Sequence, residues 1–391
     1  MKRSLQMMTA TVFLTFLFSL AILFWSMSDR AFSELENRSL QSAPRFSFQA
    51  FLSGEYSNTV NDYFADQFPM RDFWVEQKAN FELLWGKREN NGILIGENDT
   101  LARRLHTPIC ANGAKSSKTD AFDPMHVQAS LLAIRRTEKR STIPFHTLLA
   151  GRNVDVSAAA FDYPDEFSRR LWTQIEEVLG ADSLTVLHQA QMKARFERGE
   201  YVYYRTDHHW TSLGAYYAYC ALMEDFGLAD ETLPESTFQK KVASDTFYGS
   251  LHSAGGLRFV SPDTVEIWDL ISSSEFEIVA DGKRLDGFYQ TAHLSKKDKY
   301  SIFLDGTHDV VTVRKLGEEN RPSLLIVKDS FANSIAPFLA QHFDLILVNL
   351  SSSKRDYTNV SQLASDYSAD RVLLLYSVEN MITADKLTRL H

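Results

Sequence analysis

The amino-acid sequence predicts an α/β fold, and three observations lead to this prediction. Stretches with helical periodicity alternate with short, strongly apolar runs along most of the chain. The apolar run at residues 324–327 gives way directly to a helical pattern, as a buried strand followed by a helix does. The hydrophobic content of 44% is ordinary for a globular protein, which argues against wholesale disorder.

The individual elements follow from period, length and turn residues. Helices are predicted at residues 51–86 with a break at Pro69, and at 127–138, 165–179 and 331–342. Strands are predicted at 145–150, 184–187, 324–327, 345–350 and 372–376, and a hairpin at 91–101. Residues 237–315 form a β-rich insertion or small subdomain, with alternating runs at 264–268, 276–279, 300–304 and 310–313.

Charge and cysteine content limit the classes of function. The net charge of −9 and the pI of about 5.7 argue against a nucleic-acid partner, which would favour a basic face. The two cysteines, Cys110 and Cys220, would form one disulfide outside the cytoplasm or remain two free thiols. The sequence leaves both states open.

The N-terminal region predicts the location of the protein. Residues 7–27 carry no charge and are long enough to cross a bilayer, while Lys2 and Arg3 precede them and favour a cytoplasmic N-terminus. A cleaved signal peptide is the alternative, but large residues occupy the expected cleavage region. The predicted organisation is a cytoplasmic segment at 1–6, a transmembrane anchor at 7–27, a tether at 28–53 and an extracytoplasmic domain at 54–391.

Two separated motifs carry the residue types of serine acyl transfer. Asp207 and His209 lie in a polar turn, Thr-Asp-His-His-Trp-Thr, between an aromatic strand and a helix. Ser330 lies where a buried strand gives way to a helix. A serine, a basic imidazole and a carboxylate that orients it are the three parts of this chemistry. We therefore predict a catalytic site made of Ser330, His209 and Asp207.

Each motif also has other interpretations. Asp207 could cap the following helix, although Thr211 is better placed for that role, and Ser330 could be an ordinary N-cap. Asp207, His208 and His209 could bind zinc or iron. A metal site would need further ligands, and the remaining candidate histidines lie apart from one another: His188, His252, His293 and His308.

The motif at residues 206–211 resembles the signature of the DHHW proteins, which are exported bacterial proteins similar to the periplasmic alginate O-acetyltransferases. Supporting similarity occurs at residues 33–38, 66–72, 300–308 and 327–334. The resemblance implies an SGNH-hydrolase-like, flavodoxin-like sheet with helices on both faces, in a circularly permuted order. In the acetyltransferase pattern Asp-x-His-Trp, the acid corresponds to Asp207 and the base to His209, with Ser330 as nucleophile and His208 at the variable position.

The resemblance also implies a function and a set of partners. It predicts a membrane-anchored carbohydrate O-acetyltransferase or acetylesterase that acts on a cell-envelope polysaccharide and requires no cofactor or metal. A transferase of this kind would need a multispanning membrane partner to deliver acyl groups. Trp210 and Tyr204 are candidates for contact with sugar, although core packing explains them equally well. The competing hypothesis is a catalytically inactive envelope protein that binds glycan or assists assembly.

Overall fold

A computed structural model describes residues 2–33, 38–105, 123–161, 166–257, 259–271, 275–351 and 355–391. The chain divides into two compact units. The first comprises Met1–Lys87 with Gly256–Arg258, and the second comprises Arg88–Gly255 with Phe259–His391.

The first unit begins with a long apolar helix. Helix α1 spans Lys2–Ser26, and its Ser4–Ser26 part is long and apolar enough to cross a membrane. None of its most apolar window is buried against protein. The predicted apolar span is therefore present as one continuous helix.

The rest of the first unit is mostly helical. It contains the short strands β1 Phe32–Ser33 and β2 Arg38–Ser39 and the helices α2 Phe48–Leu52, α3 Glu55–Asp66 and α4 Arg71–Leu84. The predicted break at Pro69 separates α3 from α4. The helical prediction for residues 51–86 is confirmed.

The second unit is built on a mixed sheet. The strands of the second unit, which belong to several sheets, are β3 Glu89–Asn90, β4 Ile93–Ile95, β5 Leu101–Arg103, β6 Phe145–Ala150, β7 Phe238–Phe247, β8 Asp263–Leu270, β9 Phe276–Ala280, β10 Lys283–Leu285, β11 Val310–Lys315, β12 Ser323–Lys328, β13 Asp344–Asn349 and β14 Arg371–Ser377. Among the described residues, the largest sheet has the order β10-β9-β11-β13-β12-β14-β6. The strands β13, β12, β14 and β6 run parallel, and β11, β9 and β10 add antiparallel pairs. The carboxyl ends of the four parallel strands therefore lie along one edge.

Helices cover both faces of this sheet. The helices of the second unit are α5 Pro124–Arg140, α6 Asn153–Val156, α7 Glu166–Leu179, α8 Leu184–Glu197, α9 Ser212–Asp225, α10 Ser250–Gly255, α11 Ala332–Leu339, α12 Val360–Asp366 and α13 Val378–Met381. Side chains of a strand alternate between faces. Accordingly, Leu324 and Ile326 of β12 pack into a core with α8, α9 and α11, while Leu325 and Val327 pack into a second core with α5, α7 and α12. The α/β prediction is confirmed at this level.

Most predicted elements are present, and two strands were wrongly predicted. Residues 184–187 begin α8, because Thr185, His188 and Met192 recur at helical spacing and are buried on one face. Residues 300–304 contain a short 3₁₀ turn and one isolated bridge from Phe303 to Tyr289. Both errors came from reading apolar runs of only four or five residues.

The β-rich segment at residues 237–315 contributes to two different sheets. Strands β7 and β8 form a separate antiparallel pair. Strands β9, β10 and β11 extend the largest sheet. The segment therefore shares the core of the second unit over part of its length.

Candidate active site

Ser330 lies at the carboxyl end of β12, at the edge where the parallel strands end. Asp329 fixes the turn that carries it. One carboxylate oxygen of Asp329 accepts the Phe331 N–H at 3.0 Å, and the other accepts the Ser377 N–H at 2.7 Å and the Asn380 amide at 2.9 Å. Because Ser377 ends the neighbouring strand β14, the turn is tied to that strand as well as to its own strand β12. Ser330 itself is half-buried.

A closed loop between residues 202 and 211 presents the imidazole of His209. The Thr211 N–H donates to the Val202 carbonyl at 3.0 Å, and the Tyr204 N–H donates to the His209 carbonyl at 3.2 Å. Thr211 then caps α9, because its side chain accepts the Gly214 N–H at 3.2 Å. The helix cap is therefore supplied by Thr211, which leaves Asp207 available for another role.

The structure brings the three residues of the predicted site together, although 121 positions separate His209 from Ser330. His209 Nε2 lies 2.7 Å from Ser330 Oγ. His209 Nδ1 lies 2.5 Å from a carboxylate oxygen of Asp207. The two ring nitrogens of one imidazole thus join the serine to the carboxylate through a continuous series of hydrogen bonds.

The Asp207 carboxylate is held by backbone donors. One oxygen accepts the His209 N–H at 3.1 Å in a local Asx turn, and the other accepts the Ser250 N–H at 2.7 Å. Gly249 lies so close that a Cβ atom placed there would be 2.2 Å from the Asp207 Cβ. The close approach of these two segments therefore requires glycine at position 249.

The charges favour a carboxylate beside a neutral imidazole. Burial opposes ionisation of Asp207, but the His209 and His208 imidazoles and the Ser250 hydrogen bond outweigh it and hold the pKa of the carboxyl well below its usual range. Burial, aided by His208 and opposed by Asp207, lowers the pKa of His209. At neutral pH, His209 is therefore in the form that accepts a proton.

Two aromatic rings enclose the His209 imidazole. The Tyr300 ring stacks on it at 3.7 Å between centroids, with 8° between the planes. The Phe331 ring lies at 4.9 Å in a tilted arrangement. The Tyr300 hydroxyl also hydrogen-bonds with Ser334 Oγ at 3.0 Å and donates to the Ser330 carbonyl at 3.3 Å. Tyr300 thus contacts both the imidazole and the serine turn.

The predicted sugar-contacting residues are core residues instead. Trp210 and Tyr204 are both fully buried. The Trp210 Nε1–H donates to Ser334 Oγ at 2.8 Å, which ties the histidine loop to α11. The Tyr204 ring packs edge-on against Phe247 and Tyr300. Their assignment to substrate binding is corrected: neither ring offers a surface to a ligand, and core packing accounts for both.

His208 lies against the site without joining the series. Its ring centroid is 3.8 Å from that of His209, and its Nδ1 contacts the Ser250 hydroxyl at 2.6 Å. The potential ligand atoms of Asp207, His208 and His209 lie within 4.8 Å of one another, which is close enough for one metal ion to bind all three. A metal ion at this group would displace the hydrogen bond between His209 and Asp207, because Asp207 already uses both oxygens with protein donors.

A second buried polar group lies next to the serine turn in the chain. Lys328 is fully buried, and its Nζ donates to the Asn333 side-chain oxygen at 2.7 Å. The Asn333 amide donates in turn to the Gly306 carbonyl at 2.8 Å. Burial lowers the pKa of Lys328 to about 8. The Asp305-Gly306 turn is therefore linked to α11 through its carbonyl.

The residues that sequence reasoning missed are those that hold the three predicted ones. They are Gly249, Ser250, Tyr300 and Asp329. Asp329 had a detectable signal, since an Asp just before a helix commonly accepts the N–H two residues further on in an Asx turn. The question of whether Cys110 and Cys220 pair, which the sequence leaves open, lies outside the described residues, because Cys110 is not among them.

Comparisons with known proteins agree with the family resemblance. The sequence profile of the DHHW protein family matches residues 189–349, which confirms the DHHW resemblance over this range. A DHHW family protein from Eubacterium siraeum superposes with a TM-score of 0.54 at 20% identity, covering 77% of this chain and 96% of that one. Bacillus cereus PatB1, solved with a sulfonyl adduct, superposes with a TM-score of 0.57 at 19% identity, covering 76% of this chain and 100% of that one.

These similarities establish a common fold. The O-acetyltransferase domain of Pseudomonas putida AlgJ aligns at 15% identity over 74% of this chain and 92% of that domain, with a TM-score of 0.42. No curated protein sequence matches the chain.

Proposed function

We propose that this chain, which matches the DHHW family over residues 189–349, is a membrane-anchored carbohydrate O-acetyltransferase or acetylesterase that acts on a cell-envelope polysaccharide. One observation supports this most directly: the hydrogen-bonded series from Asp207 through His209 to Ser330. We further propose that the fold is a circularly permuted SGNH-hydrolase type, because the Asp-His segment precedes the serine in the chain.

The first half of the reaction transfers an acetyl group to the enzyme. The Ser330 hydroxyl attacks the carbonyl carbon of an acetyl ester while His209 Nε2 accepts the hydroxyl proton. Asp207 keeps the imidazole in the required tautomer and stabilises its protonated form. When the tetrahedral intermediate collapses, the bond to the leaving oxygen breaks and that oxygen takes the proton from His209. The enzyme is then acetylated on Ser330.

The second half repeats these steps with an acceptor. A sugar hydroxyl in transfer, or water in hydrolysis, gives its proton to His209 and attacks the acetyl carbon. The bond to Ser330 Oγ breaks, and the serine recovers its proton from His209. The balanced cycle requires no metal or cofactor.

The developing oxyanion has a ready donor. Within the described residues, the Ser330 backbone N–H makes no hydrogen bond, and it lies just before the first turn of α11. Free N–H groups near the start of a helix carry partial positive charge and suit an anionic oxygen. This N–H would stabilise the tetrahedral intermediate in both halves of the reaction.

The location and partners follow from the N-terminal helix. With the N-terminus in the cytoplasm and α1 in the membrane, the second unit would be extracytoplasmic and within reach of envelope polysaccharide. Acetyl donors are made inside the cell, so transfer would require a multispanning membrane protein that delivers acyl groups across the bilayer. Protease added to spheroplasts should digest the exported part; its protection would contradict this orientation.

Covalent labelling tests the proposed nucleophile. A fluorophosphonate should label the folded full-length protein on Ser330, and a sulfonyl fluoride is a suitable second probe because PatB1 has been solved with a sulfonyl adduct. Ser330→Ala should abolish the label. An unlabelled but folded wild-type protein would argue against the enzyme and favour the glycan-binding alternative.

Four substitutions separate the roles. Ser330→Ala and His209→Ala should each abolish acetyl release from a chromogenic ester, because the residues of such a site act as a unit. Asp207→Asn should lower turnover about 10⁴-fold, as in other Ser-His-Asp hydrolases. His208→Ala should change it at most a few-fold. Equal losses at His208 and His209 with a tolerant Ser330 would instead indicate a metal site. Analysis of envelope-glycan acetylation with and without the protein would identify the polymer.

A further inference from the structure

Helix α4 has an unusual distribution of side chains. Its exposed face consists mainly of large apolar residues, here called the α4 aromatic face: Phe73, Trp74, Phe81, Leu84 and the adjoining Trp85. Leu84 is 86% exposed and Trp85 is 79% exposed. Phe73 packs on Trp74 and Phe81 on Trp85, so the rings form pairs along one side of the helix.

Several polar residues of α4 are partly buried within the first unit, whereas Gln77 and Lys78 are exposed beside the aromatic rings. Asp72 accepts a hydrogen bond from Arg30 at 2.8 Å. Ala79 is the residue of α4 that is fully buried. A helix on the surface of a water-soluble protein shows the reverse pattern, with its apolar stripe inward. The arrangement of α4 therefore requires an apolar medium or partner on its outer side.

The position of α4 relative to α1 identifies that medium. Arg30, which forms the salt bridge with Asp72, lies only four residues beyond Ser26, where the candidate membrane span ends. Four residues of extended chain cover at most about 14 Å. Arg30 therefore lies within about that distance of the end of the span, and its salt bridge holds the first turn of α4 one side-chain contact away.

A second contact fixes the preceding helix at the same level. The Phe64 ring of α3 stacks on the Phe24 ring of α1 at 5.1 Å between centroids. Phe24 lies inside the Ser4–Ser26 span, two residues before its end. The Tyr63 hydroxyl also contacts Asp29 at 3.0 Å. When α1 spans a bilayer, the α3–α4 pair lies at the boundary between hydrocarbon and water.

We infer that the α4 aromatic face inserts into the outer boundary of the lipid bilayer, beside the transmembrane helix. Tryptophan and phenylalanine are side chains that favour this zone. The inference goes beyond the proposed activity but rests on the proposed anchoring by α1. Its consequence is that the first unit lies on the membrane rather than extending from it as a flexible stalk.

The charges of α4 specify the kind of binding. The helix carries two basic residues, Arg71 and Lys78, against the acidic Asp72, Glu76 and Glu82. It therefore lacks the basic excess through which peripheral helices bind anionic lipids. Insertion should depend on apolar contact and be insensitive to the anionic-lipid content of the membrane.

Depth-dependent fluorescence quenching tests the inference on the full chain. Single cysteines are introduced by Phe81→Cys or Leu84→Cys, after Cys110 and Cys220 are changed to serine, and carry an environment-sensitive fluorophore. Each protein is reconstituted in phosphatidylcholine vesicles with and without brominated acyl chains. Brominated lipid should quench both α4 probes about two-fold or more, and adding phosphatidylglycerol should leave the quenching unchanged.

Two control positions make the result decisive. Leu14→Cys lies in the span and should be quenched strongly, whereas Asp62→Cys, at an exposed position on the side of α3 opposite Phe64, should not be quenched. If the Leu14 probe is quenched and both α4 probes are not, the inference is wrong while the anchor stands. If the α4 probes shift to the blue without quenching, a protein contact covers the face and the lipid inference is overturned. If the Leu14 probe is not quenched, the anchoring fails and the inference fails with it. The melting temperature of each variant reports whether the fold is kept.

Discussion

Gly249 offers a sharp test of the proposed role of Asp207, because it touches the carboxylate side chain without taking part in the chemistry. In Gly249→Ala, the new Cβ atom would lie 2.2 Å from the Asp207 Cβ and 2.5 Å from its Oδ2. The two segments must separate by about 1.2 Å to reach an ordinary contact. This movement would weaken the hydrogen bond from the Ser250 N–H to the carboxylate, now 2.7 Å long.

The expected loss of activity follows from that displacement. A misplacement of about 1 Å in a catalytic group costs about 10²-fold in rate. We therefore expect Gly249→Ala to lower kcat for a chromogenic acetyl ester about 10²-fold. Because Asp207 raises the pKa of His209, loosening this pair should also move the acid limb of the pH–rate profile to lower pH.

A double-mutant comparison separates this effect from general damage. If Gly249→Ala acts only through Asp207, then combining it with Asp207→Asn should leave the loss near the roughly 10⁴-fold of Asp207→Asn alone. Ser250→Ala is the matched control, since it keeps the backbone donor and adds no bulk; it should cost at most a few-fold. A wild-type rate for Gly249→Ala, or losses that multiply in the double variant, would refute the reasoning.

Three further predictions concern the surroundings of the site. Tyr300→Leu removes the ring stacked on His209 and should lower kcat about 10-fold, whereas Tyr300→Phe keeps the ring and should stay within a few-fold; equal effects would contradict a role for the ring. Asp329→Asn turns one carboxylate oxygen into an NH2 group that faces an N–H donor, and it should lower the melting temperature and kcat together. Each lost bond should cost about 1.5–3 kcal/mol, and an unchanged melting temperature would count against this prediction. Burial lowers the pKa of His188 to about 4 in the folded protein, below its value of about 6.5 in the unfolded chain. The neutral imidazole therefore contributes its full stability above pH 6.5, and this contribution is lost as the pH falls from about 6.5 toward 4. Relative to wild type, His188→Leu should therefore gain about 2 kcal/mol between pH 8 and pH 5, and a pH-independent difference in denaturation would show that His188 is not buried in its neutral form.

The sequence was informative where chemistry and local structure coincide. Asp207, His209 and Ser330 lie in short segments at element boundaries, so their residue types and positions could be read without knowledge of the fold. Strand β12 was recognisable because it is buried on both faces and reads as a continuous apolar run.

Other features depend on tertiary contacts that leave no local pattern. Gly249 contacts Asp207 and Tyr300 contacts His209, although these partners lie about 40 and 90 positions earlier in the chain. No local sequence pattern in the β-rich segment indicates either contact. Trp210 and Tyr204 were wrongly assigned to a ligand surface, because an aromatic ring that contacts a sugar and one that fills a core have the same local sequence. Their burial is decided by the packing of α11 and Phe247 around them.

The position of β6 in the sheet has a consequence for biogenesis. Among the described residues, β6 pairs only with β14, which is made more than 200 residues later. The same late strand carries Ser377, whose N–H holds Asp329 beside Ser330. Such long-range pairing folds slowly, since a large loop must close before the contacts form. If the chain is exported as proposed, Ser330 would reach its final geometry only after residues 371–380 have crossed the membrane, and the proposed acyl transfer would begin only then.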